Sequence, residues 1–333
     1  MSSGLRAVVP GLPSTQDRPY QQGHDDRQRS DHHRYVEGVL ASRPKRVETH
    51  KGHDATSRRY RASRCMRLAP TGAGNMWLDE EDRGPIRWVT LRRPERKNAI
   101  PSTGWIELRQ AFVSFDRSPA RVLVITGSGG SFCSGADLDP ADFAEAHNVV
   151  DQYRRMKVVG ETALALHRLT KPTIAAVDGV AAGAGLNLAL GCDMVVATDR
   201  ARFSEIFVRR GLTLDFGGSW LLPRAVGPQR AKEMALSGRI VEAAEALAIG
   251  LVLELVPEDR FEARVTELAQ SLLDGAPIAQ MFAKQGIDRS WHSSFSEALA
   301  SEGQSQTICF GTNDVVEGVA AFLEKRGPRF EGS

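Results

Sequence analysis

The chain has 333 residues, 41% of them hydrophobic and 25% charged, with a net charge of +2. That balance excludes a strongly basic nucleic-acid binder, and no apolar run reaches the roughly 18 residues that a membrane span needs. The four cysteines (Cys65, Cys133, Cys192, Cys309) form no CxxC or CxxH pair, so a reduced, cytoplasmic setting without structural metal is expected.

The charge is uneven. Residues 1–75 carry 14 Lys and Arg against 7 Asp and Glu, and the remaining 258 residues carry 29 against 34. This leader is rich in Arg, Ser, Gln and Asp and holds five of the eight histidines (His24, His32, His33, His50, His53). Such a composition buries too little apolar surface to offset its ordering entropy, so the leader is expected to be disordered. Its acidic residues Asp17, Asp25, Asp26, Asp31 and Glu37 argue against an organellar transit peptide, and it has no secretory apolar core. Met76 opens the segment that reads as folded protein, and it is the alternative start of the natural chain.

From residue 76 the elements alternate. Short runs rich in Val, Ile and Leu at Ile86–Leu91, Arg121–Thr126, Thr173–Val177, Met194–Thr198 and Leu251–Val256 predict strands. Helical patterns fall at Thr103–Phe115, Val150–Leu169, Gly185–Leu190 and Pro228–Leu236. Strands with intervening helices imply an α/β core over residues 76–257. After Pro257 the pattern is helical throughout, at Arg260–Leu273, Ile278–Arg289, Phe295–Phe310 and Asp314–Lys325, so residues 258–333 are expected to form a separate helical region.

Two strand ends run into small residues. One is Gly127-Ser128-Gly129-Gly130-Ser131-Phe132-Cys133-Ser134-Gly135-Ala136-Asp137-Leu138, and the other is Asp178-Gly179-Val180-Ala181-Ala182-Gly183-Ala184-Gly185. Small residues where a strand meets a helix let backbone N–H groups approach a ligand, and two such junctions together can hold one oxyanion. Taken singly, each run is equally well read as a tight turn. Neither matches GxGxxG with a later acidic partner or GxxxxGK[ST], which disfavours a dinucleotide or P-loop site.

Asp215, in Gly211-Leu212-Thr213-Leu214-Asp215-Phe216-Gly217-Gly218, is the carboxylate best placed for acid/base work. Read alone, it could equally be the N-cap of a helix through Trp220-Leu221-Leu222. Asn187 is open to two readings as well, a site residue or a polar group satisfied by nearby backbone. His147, His167 and His292 have no evident partners and read as surface or structural.

Five segments in register resemble the crotonase family, the enoyl-CoA hydratase/isomerase superfamily. Arg93-Pro94-Glu95-Arg96-Lys97-Asn98-Ala99-Ile100 resembles its RPxxxNAL segment and Phe132-Cys133-Ser134-Gly135-Ala136-Asp137-Leu138 its FSAGADL loop. Lys171-Pro172-Thr173-Ile174-Ala175-Ala176-Val177-Asp178-Gly179 is similar to KPxIAAVNG, and Leu186 to Asp193 to CELALxCD. The resemblance continues through Leu222-Pro223-Arg224-Ala225-Val226-Gly227 to Ala321–Arg326 and includes none of the leader.

The resemblance implies an α/β spiral of ββα units with a helical C-terminal region that packs trimers, and an acyl-coenzyme A substrate with no cofactor beyond its own CoA. It carries the oxyanion donors to the N–H groups of Ala136 and Ala184. Because both donors are backbone groups, the Ala184 side chain, where the family more often has Gly, need not abolish the site, although it could crowd it. It also carries adenine contact to Ser134, Gly135, Ala136, Asp137 and Leu138, and nucleotide contact to Phe322 and Lys325, in some relatives from a neighbouring subunit. Lys325 is also open to the plainer reading of a cation at a helix end. Hydratases of the family use two Glu, and those positions here hold Asn187 and Phe207. Glu205, two residues before Phe207, would share its face if the segment were a strand. Asp215 matches the aspartate of members that move a double bond. The implied function is an isomerase with Asp215 as its single acid/base, and the alternatives are a hydratase-like or other crotonase reaction, or a silent acyl-CoA binder. The segment Pro140 to Arg155 is expected to fold over the acyl tail.

Overall fold

The computed structural model describes residues 77–138 and 148–333. The leader and the first half of Pro140 to Arg155 lie outside the described residues, as does His147.

A hairpin starts the fold. β1 (Leu78–Arg83) pairs antiparallel with β2 (Ile86–Leu91) across Gly84-Pro85, with Gly84 at φ +63°. β3 (Val122–Gly127), β4 (Thr173–Val177), β6 (Met194–Thr198) and β9 (Glu254–Val256) then add in parallel, giving a six-stranded sheet ordered β1-β2-β3-β4-β6-β9. Parallel strands covered on both faces are continuously apolar, and β4, Thr-Ile-Ala-Ala-Val, is buried at every position.

Alternate residues of these strands feed two cores, as the two-residue period of a strand requires. Ile86, Trp88, Val122, Val124, Ile174, Ala176 and Val196 meet Val265 and Ala269 of the helix Phe261–Leu273. Val89, Leu91, Leu123, Ile125, Ala175, Val177, Val195 and Ala197 face the larger core, which also takes Leu108, Phe112 and Phe115 from α1 (Gly104–Arg117). α2 (Val149–His167) packs against α1 and starts at Asn148, whose side chain accepts from the Val150 N–H.

The predicted strands and helices are present with shifts at their ends. The strand expected at Leu251–Val256 begins only at Glu254, because Leu251 and Val252 turn their side chains into the core. β1 escaped prediction because Asp79, Glu80, Glu81, Asp82 and Arg83 are charged and exposed, as suits an edge strand that must not recruit another chain. A second, three-stranded sheet is made of β5 (Val180–Ala182), β7 (Arg202–Ser204) and β8 (Val241–Glu242), whose runs are too short for periodicity to reveal. The described C-terminal helices follow at Phe261–Leu273, Pro277–Ser290, Phe295–Phe310 and Asn313–Glu324, the third opened by a capping box of Ser294 and Glu297.

One buried side chain joins the Arg93–Ile100 segment to the first glycine-rich run. Asn98, 1% exposed, accepts from the Arg93 N–H at 2.8 Å and donates to the carbonyls of Ser128 and Ser131 at 2.8 and 2.6 Å. Removing it orphans a donor and two acceptors inside the protein. Asn98→Ala is expected to lower stability by roughly 2–4 kcal/mol, read from urea denaturation.

Candidate active site

The two glycine-rich runs pair with each other. The N–H groups of Phe132 and Cys133 both donate to the Val180 carbonyl, at 3.0 and 2.9 Å, and the Ala182 N–H donates back to the Cys133 carbonyl at 2.9 Å. This approach is possible only without side chains at two positions. A Cβ on Gly179 would stand 2.1 Å from the Gly130 carbonyl oxygen, and one on Gly185 would stand 2.2 Å from that of Cys133.

On the other side, Gly135 C=O accepts from Ile100 N–H and Asp137 N–H donates to Ile100 C=O, both at 2.8 Å. Neighbouring residues of extended backbone direct their amides to opposite sides, so the Ala136 N–H between them faces away from Ile100. Gly135 has φ +97°, and a Cβ there would lie 3.4 Å from the Ala184 nitrogen. The amide nitrogens of Ala136 and Ala184 are therefore close together, and neither donates to a protein acceptor among the described residues. Ala184 begins α3 (Ala184–Leu190) after Gly183, whose φ +54° and ψ −128° suit glycine. Ala184 is 1% exposed and belongs to the main core.

Asn187 lies on α3 one turn after Ala184 and is fully buried. Its Nδ2 donates to the main-chain carbonyl of Asp215 at 3.0 Å, and its Oδ1 has no hydrogen-bond partner among the described residues. Gly218 makes room for this contact, because a Cβ there would be 2.4 Å from Asn187 Nδ2. The backbone-satisfied reading of Asn187 thus holds for its amide nitrogen.

Asp215 does not cap a helix through its side chain. α4 (Gly218–Val226) is preceded by Gly217 and has no side-chain cap; Asp215 contributes only its carbonyl, which accepts from Gly218 N–H at 2.9 Å. Asp215 is half-buried, its Oδ1 is shielded from solvent without a hydrogen-bond partner among the described residues, and burial pushes the carboxyl up to about 7. The next residue, Phe216, has φ +48°, a strained value for a bulky side chain. Its buried ring packs 5.6 Å from that of Trp105, which holds the turn in place.

Glu205 and Phe207 are not on a strand, so the shared-face argument for them fails. β7 ends at Ser204, and a 3-10 helix covers Ile206–Arg210. Phe207 is buried, with its Cζ 3.5 Å from where a side chain on Gly183 would begin, so an aromatic ring lies beside the two amides. Glu205 is 0% exposed and neither carboxyl oxygen has a hydrogen-bond partner among the described residues. Burial, and then the charge of Asp215, push it up to about 8, while the Asn187 carboxamide lies near enough to oppose this slightly without forming a hydrogen bond of normal geometry. The sequence signal is a single acid in the run Phe203-Ser204-Glu205-Ile206-Phe207, which is otherwise uncharged.

The Ser134–Leu138 loop is fastened to the Arg93–Ile100 segment. Ser134 N–H donates to Lys97 C=O at 2.9 Å, Ser134 Oγ to Arg96 C=O at 3.1 Å, and Arg93 Nη2 to Asp137 Oδ2 at 2.8 Å. Leu138 is exposed. Phe322 and Lys325 are not brought to this loop within the chain: no described hydrogen bond, ion pair or ring contact joins them. Phe322 is exposed, and Lys325 caps the last helix at φ +56°. His167 and His292 flank Trp220, the first edge-on at 5.2 Å and the second stacked at 6.1 Å. A cavity of about 760 Å³ beside them shares Phe216 and Gly217 with the Asp215 turn, but Ala136, Ala184, Glu205 and Asp215 do not line it. That cavity is therefore not where the acids and amides meet. Among the described residues, no group of three or more His, Cys, Asp or Glu is placed to hold a metal ion.

Paired amide donors beside buried, partnerless carboxyls can polarise a carbonyl and move a proton on a neighbouring carbon. Comparison with known proteins gives the same direction. Residues 81–333 match the family model described as enoyl-CoA hydratase/isomerase. The chain is 40% identical over 244 residues to the "Probable enoyl-CoA hydratase" of Rhodobacter capsulatus, covering 73% of this chain and 93% of that protein. It is 35% identical over 249 residues to the 1,2-epoxyphenylacetyl-CoA isomerase of Escherichia coli, covering 74% and 95%. The crystal structure of an enoyl-CoA hydratase from Bacillus anthracis superposes with a TM-score of 0.73 at 29% identity, over 77% of this chain and 100% of that one. The chain therefore has the crotonase fold and belongs to the enoyl-CoA hydratase/isomerase family of acyl-CoA enzymes.

Proposed function

We propose that this enzyme moves a carbon–carbon double bond in an acyl-CoA thioester, with Asp215 as its single acid/base. The thioester oxygen takes the N–H groups of Ala136 and Ala184. Asp215 removes a proton from a carbon next to the double bond, the electron pair passes to the thioester oxygen, and the Asp215 carboxylic acid returns the proton two carbons away. No second acid and no cofactor beyond the substrate's own CoA is needed.

The observation that carries this reading is the setting of Asp215. It is half-buried with one shielded oxygen that has no partner among the described residues, its backbone is tied by Asn187 to the helix that Ala184 opens, and Phe207 stands where the resemblance puts a second carboxylate. The Escherichia coli relative is named an isomerase. A second reading, water addition by Asp215 with Glu205, is favoured by the charge of Asp215 acting on the buried Glu205 and by the hydratase names of other relatives. The adenine is held by Ser134 to Leu138, with Phe322 and Lys325 contributed by a neighbouring copy in a cytoplasmic trimer or hexamer. The exposed Phe295, Phe310, Val316, Phe322 and Leu323 of the last two helices support that packing.

Incubation of the purified chain with 2-enoyl-CoA and 3-enoyl-CoA in deuterated water is expected to interconvert the two with deuterium incorporation; a 3-hydroxyacyl product would favour the second reading, and tight binding without exchange would leave only a binder. Asp215→Asn is expected to lower turnover about 10²- to 10⁴-fold while acyl-CoA affinity is kept. Because the base works ionised and burial holds Asp215 up near 7, kcat/KM should rise with pH through about 7, well above the range of an ordinary aspartate. Gly135→Ala would push a methyl to 2.9 Å from the Ala182 carbonyl and 3.4 Å from the Ala184 nitrogen, and kcat should fall about 10²- to 10³-fold, as for loss of one oxyanion donor.

A further inference from the structure

Glu205 is a fully buried carboxyl for which double-bond migration has no use. It is tied to the same junction as the paired amides: its neighbour Ser204 accepts from the Gly183 N–H at 2.8 Å, one residue before Ala184. Asn187, on α3, presents only a neutral carboxamide to it, and Asp215 is the one charged group that acts on it among the described residues. Among the described residues no cation and no hydrogen bond of normal geometry compensates it, and the Asn187 carboxamide offsets its burial only slightly. A carboxylate buried without either is strongly disfavoured against its neutral acid.

We propose that Glu205 is a neutral acid of the reaction centre, a positioning residue that lets the centre carry one negative charge and no more throughout the cycle. The inference rests on Asp215 being the base. At rest the charge is the Asp215 carboxylate. When the substrate C–H bond breaks, the proton goes to an Asp215 oxygen and the bonding pair to the thioester oxygen, so the single charge is transferred to the enolate. Reprotonation of the distant carbon returns it to Asp215. With Glu205 protonated, no other anion opposes the enolate. If Glu205 ionised, the centre would hold two negative charges, and enolate formation would be opposed.

The test uses the full-length enzyme and Glu205→Gln, which keeps size and neutrality and removes the titration. Wild-type kcat/KM is expected to be bell-shaped, rising near 7 as Asp215 ionises and falling near 8 as Glu205 does. Glu205→Gln should keep the rise and lose the fall, leaving it at least tenfold more active than wild type two pH units above the wild-type maximum. A wild-type profile with no alkaline fall, or a variant that retains it, overturns the proposal.

Stability gives an independent readout. An acid raised on folding from 4.5 to about 8 makes the folded state bind more protons than the unfolded one between those values, so wild-type stability falls as pH rises through that window. Glu205→Gln should gain on wild type across it and show no gain below, in urea titrations; a difference independent of pH overturns the proposal. Asp215→Asn leaves Glu205 untouched and removes the charge that acts on it. The protonated-carboxyl infrared band assigned to Glu205 by its loss in Glu205→Gln should then titrate at lower pH than in wild type. An unmoved band in an inactive Asp215→Asn rejects the shared charge alone, whereas full turnover of Asp215→Asn rejects the base assignment on which it rests.

Discussion

Everything at the candidate site follows from two stretches of backbone lying closer together than side chains would permit. Val180 C=O receives two N–H groups from the first glycine-rich run, and Ala182 returns one to Cys133. Gly179 and Gly185 are where that closeness is decided, because a methyl at either would meet a carbonyl oxygen at 2.1 to 2.2 Å. A main-chain oxygen cannot rotate out of the way as a flexible side chain can. The amides of Ala136 and Ala184 converge as a by-product of this packing, and so their positions are as rigid as the sheet behind them.

The electrostatic character of the site is set by what is missing from the neighbourhood of two acids. Among the described residues neither Glu205 nor Asp215 is paired with Arg or Lys, although the chain is rich in arginine and pairs it freely at the surface, as with Glu233 and Glu245 around Arg239. Ion pairs of that exposed kind contribute little to stability. The buried Glu205 and the half-buried Asp215 instead carry a desolvation penalty that no cation among the described residues offsets, tolerated because the surrounding core is large. Stability given up at a few positions is a recurrent mark of reactive sites.

Much of this was legible in the residues. Thr173–Val177 is apolar at four of five positions and proved to be the fully buried centre of the sheet. The two small-residue runs located the junctions because glycine at a strand end leaves a local signature. Non-local relations were invisible. Nothing in the chain near Asn187 indicates that its amide reaches the carbonyl of a residue 28 positions on, and the N-cap reading of Asp215 was defensible until the helix proved to start beyond Gly217. Glu205 was judged by a strand period that does not hold, since the backbone leaves β7 just before it. The charged edge strand β1 went unseen because solubility, rather than burial, dictates its composition.

The hydrogen bond from Asn187 goes to the peptide oxygen of Asp215 and leaves the carboxyl alone. A peptide oxygen has the same accepting strength whatever happens to the side chain that follows it. With Phe216 wedged against Trp105 on the other side of the turn, the loop has a mechanical anchor that is indifferent to titration. The acid can therefore gain and release a proton at every turnover without the backbone relaxing, which keeps the reorganisation that accompanies each transfer small.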